Sequence, residues 1–415
     1  MRPISFILPS RNNLKYLKQA YDSIRKNQSV EHEICIASDA STDGTVEWVE
    51  EIMKTDKKVR LHINPGPERL GHTILYDTLV NEYSSNDIVM IFHADMYLCP
   101  NSDVQIDKHI KEGTVVSLTR IEPPLHPDGN EKILMDYGIE PEEFKEDDLL
   151  VWLNSSPELT HSKLRNELTK GIFAPWAIMK KDWDFIGGHD PLFAPQSKED
   201  SDIFNRFHIA GYNLVQTWRG FVYHMTCRGS RFKDGAKRNP NGDVMMKGRE
   251  TDEWLIQNKK STRNFIRKWG HMVIHDEYLH PVVPSVYDIG FVVENCNTQM
   301  LEYLEPWCSN IYGDWVGHKG YGVNKYVESE QPNTLFKLNK RIRTHHHEVD
   351  NDIIVRFDCQ RLTEYSKNIL ESLSNIISDS GDVGRFELDV FDIEIKQIKK
   401  LEEGMVNDVF YLGKR

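Results

Sequence analysis

Asp87–Pro100, Asp-Ile-Val-Met-Ile-Phe-His-Ala-Asp-Met-Tyr-Leu-Cys-Pro, is the stretch that decides how the rest of the chain is interpreted. Residues 88–92 form an apolar run that is too short for a globular helix and rich in strand formers, which predicts a strand buried on both faces. The run stops at His93 and Asp95, which alternation places on the same side of the chain. An imidazole and a carboxylate at the end of a buried strand suit a divalent cation. The structural alternative is that Asp95 only caps the next turn.

The composition is ordinary for a globular protein, and it argues against several classes of protein. A length of 415 residues suggests two or three domains. The net charge of -13 argues against a generic nucleic-acid binder. No segment has the apolar length of a membrane span, and the amino terminus has no signal-peptide pattern. The six cysteines include no Cys-x-x-Cys pair, which favours reduced thiols in the cytoplasm and argues against a zinc module.

Short strands and helices alternate in the first half, which predicts a mostly parallel sheet. In such a sheet ligands bind at the carboxyl ends of the strands. The first strand breaks at Pro9-Ser10-Arg11-Asn12, and the second ends at Asp39. Strands are predicted at 4–8, 33–38, 59–63 and 88–92, and helices at 14–26 and 70–83.

Two later segments also place charged groups at the ends of elements. A helix predicted at 197–210 begins with Glu199-Asp200-Ser201-Asp202, and its dipole alone explains part of this acidic pattern. A strand predicted at 215–224 ends in His224, and Arg228 and Arg231 follow in a short loop. Arginine suits phosphate because its planar fork can bind two oxygens.

Taken together, these segments resemble the family 2 glycosyltransferases, which have the GT-A fold. The resemblance covers residues 1–232 and rests on five segments in the family's order. They are Phe6-Ile7-Leu8-Pro9-Ser10-Arg11-Asn12, similar to the opening strand and its Pro-Thr-Tyr-Asn-type turn; Ser38-Asp39-Ala40-Ser41-Thr42-Asp43-Gly44-Thr45, similar to the Asp-Asp-Gly-Ser-Thr-Asp-Gly-Thr signature; Phe92-His93-Ala94-Asp95, similar to the Asp-Ala-Asp metal motif; Gly187-Gly188-His189-Asp190; and Glu199 to Asp202 with Arg206 and His224.

The resemblance implies inverting transfer of a sugar from a nucleoside diphosphate sugar, UDP-linked first and GDP-linked second, to a carbohydrate or glycoconjugate hydroxyl. It implies Mn²⁺ or Mg²⁺ as cofactor, held by Asp95 and His224 with His93 as a third candidate. It implies Asp200 as general base, with Glu199 as its rival or as an acceptor-orienting group. The donor site implied by the family comprises Pro9, Arg11, Asp39, His93, Asp95, Arg228 and Arg231, and the acceptor site comprises Trp176, Gly188, His189 and Asp190.

His93 is the main departure from the family pattern, which usually has an acid at this position. A histidine there can replace the acid as a nitrogen ligand or as a hydroxyl partner, which would favour a manganese-like ion over magnesium. The alternative is a packed, hydrogen-bonded histidine. Trp176 and Trp183 are likewise open between stacking on a sugar ring and packing in the core.

The remaining chain is predicted to hold a linker and helical extension at 233–283 and a smaller α/β domain of unknown role at 284–415, with strands at 288–294, 353–358 and 386–395. Its candidate partners are an acceptor, another protein or a second copy of the chain. Two other functions stay open. A sugar-nucleotide- or carbohydrate-binding protein without transfer activity has its best support in His93, but the retention of Asp95, Asp200 and His224 argues against it. A sugar nucleotidyltransferase is disfavoured, because Pro9–Asn12 is not a glycine-rich basic loop.

Overall fold

The computed structural model of the chain describes residues 1–226, 231, 235–246, 248, 250–315 and 318–406. The chain divides into two compact units. Unit 1 comprises Met1–Gln257 and His275–Val282, and unit 2 comprises Asn258–Ile274 and Val283–Arg415. Residues 258–274, which the sequence assigned to the linker and helical extension, thus cluster with unit 2. Among the described residues, no helix is both long enough and apolar enough to cross a membrane.

Unit 1 is an α/β structure in which strands and helices alternate. The alternation is regular as far as the fourth strand and looser beyond it. In chain order its elements are β1 (Ile4–Ser10), α1 (Leu14–Asn27), β2 (Glu33–Asp39), α2 (Thr45–Thr55), β3 (Val59–Asn64), α3 (Gly71–Thr78), β4 (Ile88–Ile91), β5 (Met96–Leu98), α4 (Ser102–His109), β6 (Thr114–Glu122), β7 (Lys132–Leu134), α5 (Glu146–Asn154), α6 (Pro157–Thr160), β8 (Leu168–Lys170), β9 (Trp176–Met179), α7 (Lys180–Ile186), α8 (Glu199–Ile209), β10 (Asn213–His224), β11 (Ala236–Arg238), β12 (Val244–Met246) and the first residues of α9 (Asp252–Trp269).

The large sheet of unit 1 has the strand order β3-β2-β1-β4-β9-β6-β10-β5. Neighbours β3, β2, β1 and β4 are parallel, and so are β6 and β10. The short strands β5 and β9 run antiparallel to their neighbours. The predicted fold class, a mostly parallel sheet with helices, is confirmed. The antiparallel strands matter for the site, because β5 begins directly after Asp95.

Burial explains why the apolar runs form strands. Every residue of β1, β2, β4 and β6 is buried, as expected for strands covered on both faces. Helix α1 covers the sheet with a stripe at helical spacing that includes Leu17, Ala20 and Ile24, all without solvent exposure. The polar ends of these strands are therefore held on a rigid support.

Unit 2 is a second, smaller α/β structure. Its sheet has the order β15-β14-β13-β16-β18-β17, with four parallel strands followed by an antiparallel hairpin. Besides the second half of α9, its elements are β13 (Ile289–Glu294), α10 (Thr298–Leu304), β14 (Asn310–Gly313), α11 (His318–Glu330), α12 (Leu338–Arg341), β15 (Ile342–Thr344), β16 (Ile353–Asp358), α13 (Glu364–Glu371), α14 (Leu373–Ser380), β17 (Gly384–Leu388) and β18 (Phe391–Ile395).

The single strand predicted at 386–395 is wrong. The chain reverses at Asp389, which has a φ of 55°, and forms the β17–β18 hairpin instead. Aspartate tolerates this left-handed conformation because its short side chain can hydrogen-bond locally.

A buried ion network stabilises unit 2. The Glu305 carboxylate is fully buried and lies 2.7 Å from Arg267 Nη2 and 2.6 Å from Arg341 Nε. Tyr326 also donates its hydroxyl proton to Glu305 at 2.9 Å. Burial opposes ionisation of Glu305, but the two arginines outweigh it and lower its pKa. The network ties the second half of α9 to the segment that follows α10.

We expect Glu305→Gln to destabilise unit 2 by about 3–5 kcal/mol, because it leaves buried guanidinium groups without their counter-charge. Urea unfolding monitored by circular dichroism measures the change. Glu302→Gln is the matched control, since Glu302 pairs with Lys259 at the surface, where a pair contributes about 0–1 kcal/mol. Equal losses for the two variants would contradict this account of the network.

Candidate functional site

Strand pairing brings Asp95 and His224 together. The last residue of β10, His224, is opposite Met96, the first residue of β5. The Met225 backbone N–H also donates to the Asp95 carbonyl at 3.0 Å. Residues 93–95 form the turn between β4 and β5, so this pairing sets His93 and Asp95 beside the end of β10.

His93, Asp95 and His224 form a cluster suited to a cation. Each offers one ligand atom, and these atoms all lie within 4.8 Å of one another. Asp95 Oδ1 is 3.4 Å from His224 Nε2, and the rings of His93 and His224 are 5.6 Å apart between centroids. The three side chains fit a divalent ion that accepts two nitrogens and one oxygen. The predicted ligands therefore converge.

Asp95 and His224 each stabilise the charged form of the other. Burial opposes ionisation of Asp95, but His224 outweighs it and lowers the pKa of Asp95 to about 2. Burial likewise opposes protonation of His224, but Asp95 and Glu122 raise its pKa to about 9. Burial and nearby His224 lower the pKa of His93 to about 3. Without a cation, His224 therefore carries a proton toward Asp95, and His93 keeps a free nitrogen lone pair.

A cavity of about 570 Å³ opens beside the cluster at the carboxyl ends of the strands. Its volume is in the range of small-molecule sites. Six residues of the predicted donor and metal sites line it: Pro9, Arg11, His93, Asp95, His224 and Arg231. The predicted Arg228 lies outside the described residues. The sequence did not single out the other lining side chains, among them Asn12, Arg69, His72, Tyr76, His126 and Gln196.

Three arginines line the cavity, and each lies near a carboxylate. Arg69 Nη1 lies 3.1 Å from Glu253 Oε1, and Arg11 lies 4.0 Å from the same oxygen. Arg231 Nη2 lies 2.6 Å from Glu250. These cations are suited to the oxygens of a diphosphate, which can replace the partly exposed carboxylates.

Asp39 has a different environment from the one predicted. It is buried and does not line the cavity. Its carboxylate accepts hydrogen bonds from the backbone N–H groups of Leu70 and Gly71, both at 2.9 Å, and from Asn64 Nδ2 at 2.8 Å. Asp39 therefore fixes the loop that carries Arg69. Gly71 is required there, because at φ 78° a Cβ would lie 2.0 Å from the Pro195 carbonyl oxygen.

The predicted acceptor residues lie below the cavity surface. Trp176 is fully buried against Trp183, Phe204 and Phe207, so the expectation that it stacks on an acceptor sugar is wrong. Trp183 is buried as well. Trp176 at the start of β9 and Trp183 on α7 pack against each other, and Trp176 also packs against two phenylalanines of α8, which explains why the tryptophans are buried.

The segment of Gly188, His189 and Asp190 packs beneath the residues that line the cavity. The Asp190 carboxylate accepts from the Leu192 backbone N–H at 2.9 Å. His189 Nδ1 is 2.9 Å from Asp77 Oδ1, and its ring packs against Tyr76, which lines the cavity. Gly188 has a φ of 69°, and a Cβ there would lie 2.4 Å from Asp77 Oδ2. A direct acceptor contact by these residues stays a prediction.

The acidic pair opens α8. Glu199 is buried and Asp200 half-buried. Burial raises the pKa of Asp200, while burial and nearby Asp200 raise that of Glu199. Burial and the charges of Asp200 and Glu199 raise the pKa of Tyr76, which lines the cavity, whereas neither acid is among the cavity-lining residues. Asp202 is buried 3.0 Å from Arg206 and is no rival base.

Glu122 is the main functional residue that sequence reasoning missed. It ends β6 and lies 2.8 Å from His224 Nδ1. A carboxylate at the end of a strand is the same kind of feature that identified Asp95, but the Thr, Ser and Arg residues of β6 make that strand less evident in the sequence than the apolar run at 88–92. His72 and Tyr76 carried no comparable signal, since they lie on a short helix of ordinary composition.

Comparison with known proteins identifies a family that the amino-terminal part of the chain matches. Residues 5–184 match the family described as "Glycosyl transferase family 2". This segment of unit 1, which holds most of the strands of the large sheet, therefore matches the glycosyltransferases of family 2.

Individual relatives are distant. Chondroitin synthase of Pasteurella multocida (strain Pm70) and hyaluronan synthase of Pasteurella multocida are each 23% identical over 128 residues, which are 31% of this chain and 13% of each relative. Among solved structures, GalNAc-T7 with UDP, GalNAc and Mn²⁺ aligns with a TM-score of 0.40 and 13% identity over 54% of this chain and 43% of that one. A Pyrobaculum calidifontis mannosyltransferase with GDP-Man and Mn²⁺ aligns with a TM-score of 0.39 and 16% identity over 55% and 58%.

We expect Asp39→Ala to weaken nucleotide binding about ten- to hundredfold, because loss of the hydrogen bonds to Leu70 and Gly71 releases the Arg69 loop at a cost of about 1–3 kcal/mol. Calorimetric titration with UDP measures the affinity. Asp43→Ala is the control, since Asp43 accepts hydrogen bonds from Leu14 and Thr45 at the surface. Unchanged affinity in Asp39→Ala would show that the loop does not contribute to the nucleotide site.

Proposed function

We propose that the chain is an inverting, metal-dependent glycosyltransferase that moves a sugar from a nucleoside diphosphate sugar to a carbohydrate or glycoconjugate hydroxyl. The observation that carries the proposal is the convergence of His93, Asp95 and His224 on the wall of a cavity that also presents arginines. The pairing of a cation site with guanidinium groups is the chemistry that a diphosphate requires. The match to family 2 supports the same reaction class.

The donor's diphosphate would lie between the cluster and Arg11, Arg69 and Arg231. The backbone at Pro9 would border the nucleoside. UDP-sugars are the first donors to test and GDP-sugars the second. The names of the curated relatives, a chondroitin synthase and a hyaluronan synthase, support a carbohydrate acceptor.

The ligand set favours Mn²⁺ over Mg²⁺, because two imidazoles and one carboxylate suit a transition metal better than an ion that prefers oxygen. A cation bound here neutralises charge that builds up on the leaving diphosphate. Asp95 supplies the anionic oxygen, and His93 and His224 supply the nitrogens. His224 must lose its proton for this, so low pH weakens cation binding.

Asp200 is the proposed general base. An acceptor hydroxyl that attacks the anomeric carbon must lose its proton to a carboxylate opposite the departing diphosphate. Burial and the charge of Asp200 raise the pKa of Glu199, which favours Asp200 as the ionised carboxylate of the pair. His189 lowers the pKa of Asp200 against the effect of burial, which helps to keep it ionised.

The test of the proposal is donor binding with and without Mn²⁺. Calorimetry with UDP- and GDP-sugars should show affinity that Mn²⁺ increases, and Asp95→Ala should abolish the increase while circular dichroism shows an intact fold. Asp128→Ala is the matched control, because Asp128 pairs with Lys163 at the surface. Wild-type protein that binds no sugar nucleotide, or Mn²⁺ stimulation that survives in Asp95→Ala, would contradict the proposal.

We expect Asp200→Asn to slow transfer about 10²–10⁴-fold with donor affinity nearly unchanged, since this is the usual contribution of a general base. Because burial raises the pKa of Asp200, the wild-type rate should fall as pH drops through a value above the ordinary one of 3.8. Steady-state rates between pH 4 and pH 9 measure both effects. Glu199→Gln is the control and should retain most of the transfer. Loss of transfer in Glu199→Gln alone would identify Glu199 as the base.

A further inference from the structure

We propose that Glu122 is a positioning residue that orients His224 as a ligand of the divalent cation. The inference rests on the proposed metal-dependent function and concerns a residue outside the donor, acceptor and base sets described above. It is carried by hydrogen-bond geometry on the side of His224 that faces away from Asp95.

The two nitrogens of His224 have different partners. Nδ1 is 2.8 Å from Glu122 Oε1, and Nε2 is 3.4 Å from Asp95 Oδ1. An ionised carboxylate only accepts hydrogen bonds, so Nδ1 must carry the proton. The lone pair of neutral His224 is then on Nε2, on the side of His93 and Asp95. A carboxylate that fixes the outer nitrogen of a metal-binding histidine in this way sets both its tautomer and its ring orientation.

Glu122 is held rigidly in this role. It is buried at the end of β6, where the parallel ladder pairs Arg120 with Val222 and Ile121 with Tyr223. The pairing ends at Ile121 and Tyr223, one residue before Glu122 and His224, so the ladder brings these two side chains next to each other.

Two cations keep Glu122 ionised. Arg120 Nη1 donates to Oε1 at 2.9 Å, and Lys132 Nζ lies 3.6 Å from Oε2. A buried carboxylate is costly unless it is paired in this way. Arg120 also pairs with Glu131, so two cations balance two carboxylates, and Glu122 Oε1 remains an acceptor for His224.

The chain offers a matched control in Glu131. Its carboxylate lies 3.2 Å from the other end of the Arg120 guanidinium, Nη2. Glu131→Gln removes the same charge from the same arginine and leaves the contact between Glu122 and His224 in place. A difference between the two variants therefore isolates that contact.

The experiment titrates Mn²⁺ alone into wild-type protein, Glu122→Gln and Glu131→Gln, with free Mn²⁺ measured by electron paramagnetic resonance. Glu122→Gln should bind Mn²⁺ about 10–100-fold more weakly, the usual effect of losing such an outer partner, and Glu131→Gln should bind like wild type. Electron spin echo modulation of bound Mn²⁺ should show weaker coupling to imidazole nitrogen in Glu122→Gln only, which a merely structural role would not produce.

The outcomes separate this inference from the proposed function. Wild-type protein that binds no Mn²⁺ overturns both. Wild-type binding with unchanged affinity in Glu122→Gln, or with an equal loss in Glu131→Gln, overturns the positioning role alone. If Glu122→Gln does not fold, Glu122→Gln/Lys132→Gln removes both members of the buried pair at lower cost and is held to the same Mn²⁺ criterion.

Discussion

The antiparallel pairing of β5 with the end of β10 is the constraint on which the site depends. It aligns Met96 with His224 and, through the Met225 N–H, fixes the Asp95 carbonyl. Without it, the turn after β4 would leave His93 and Asp95 at a strand end with no second element to complete the cluster. In a parallel sheet the strand ends lie along one edge. The short antiparallel strand β5 adds the pairing that brings His93 and Asp95 next to His224.

The pairing places several charged groups in a buried region. Each of these groups lies next to a group of opposite charge. Asp95 faces His224, His224 faces Glu122, and Glu122 faces Arg120 and Lys132. Each group alone would be costly to bury, yet each has an opposite charge or a hydrogen-bond partner within 4 Å. Opposite charges thus alternate outward from the cluster, which holds the ligand side chains in fixed orientations before any ion binds.

The sequence predicted the strands and their ends well. It predicted poorly the contacts between residues that are far apart in the chain. The strand at 88–92, the ends at Asp39 and His224 and the convergence of His93, Asp95 and His224 followed from apolar runs and from the family resemblance. Two kinds of feature did not follow. Trp176 was placed near an acceptor because an aromatic side chain looks the same in sequence whether it packs or stacks. The hydrogen bonds of Asp39 to Leu70 and Gly71 were not predicted, because these partners lie about thirty positions away and no periodicity encodes such a backbone contact.

The acidic pair of Glu199 and Asp200 departs from the usual rule that carboxylates lie in water. The helix dipole favours carboxylates in the first turn of α8, but burial raises the pKa of both Glu199 and Asp200. A folded-state pKa above the unfolded value means that this pair loses stabilising energy as pH rises above about 4. A structure selected for stability alone would place these acids in water. Their burial suits the proposed role of a general base, because a poorly solvated carboxylate accepts a proton more readily than a hydrated one.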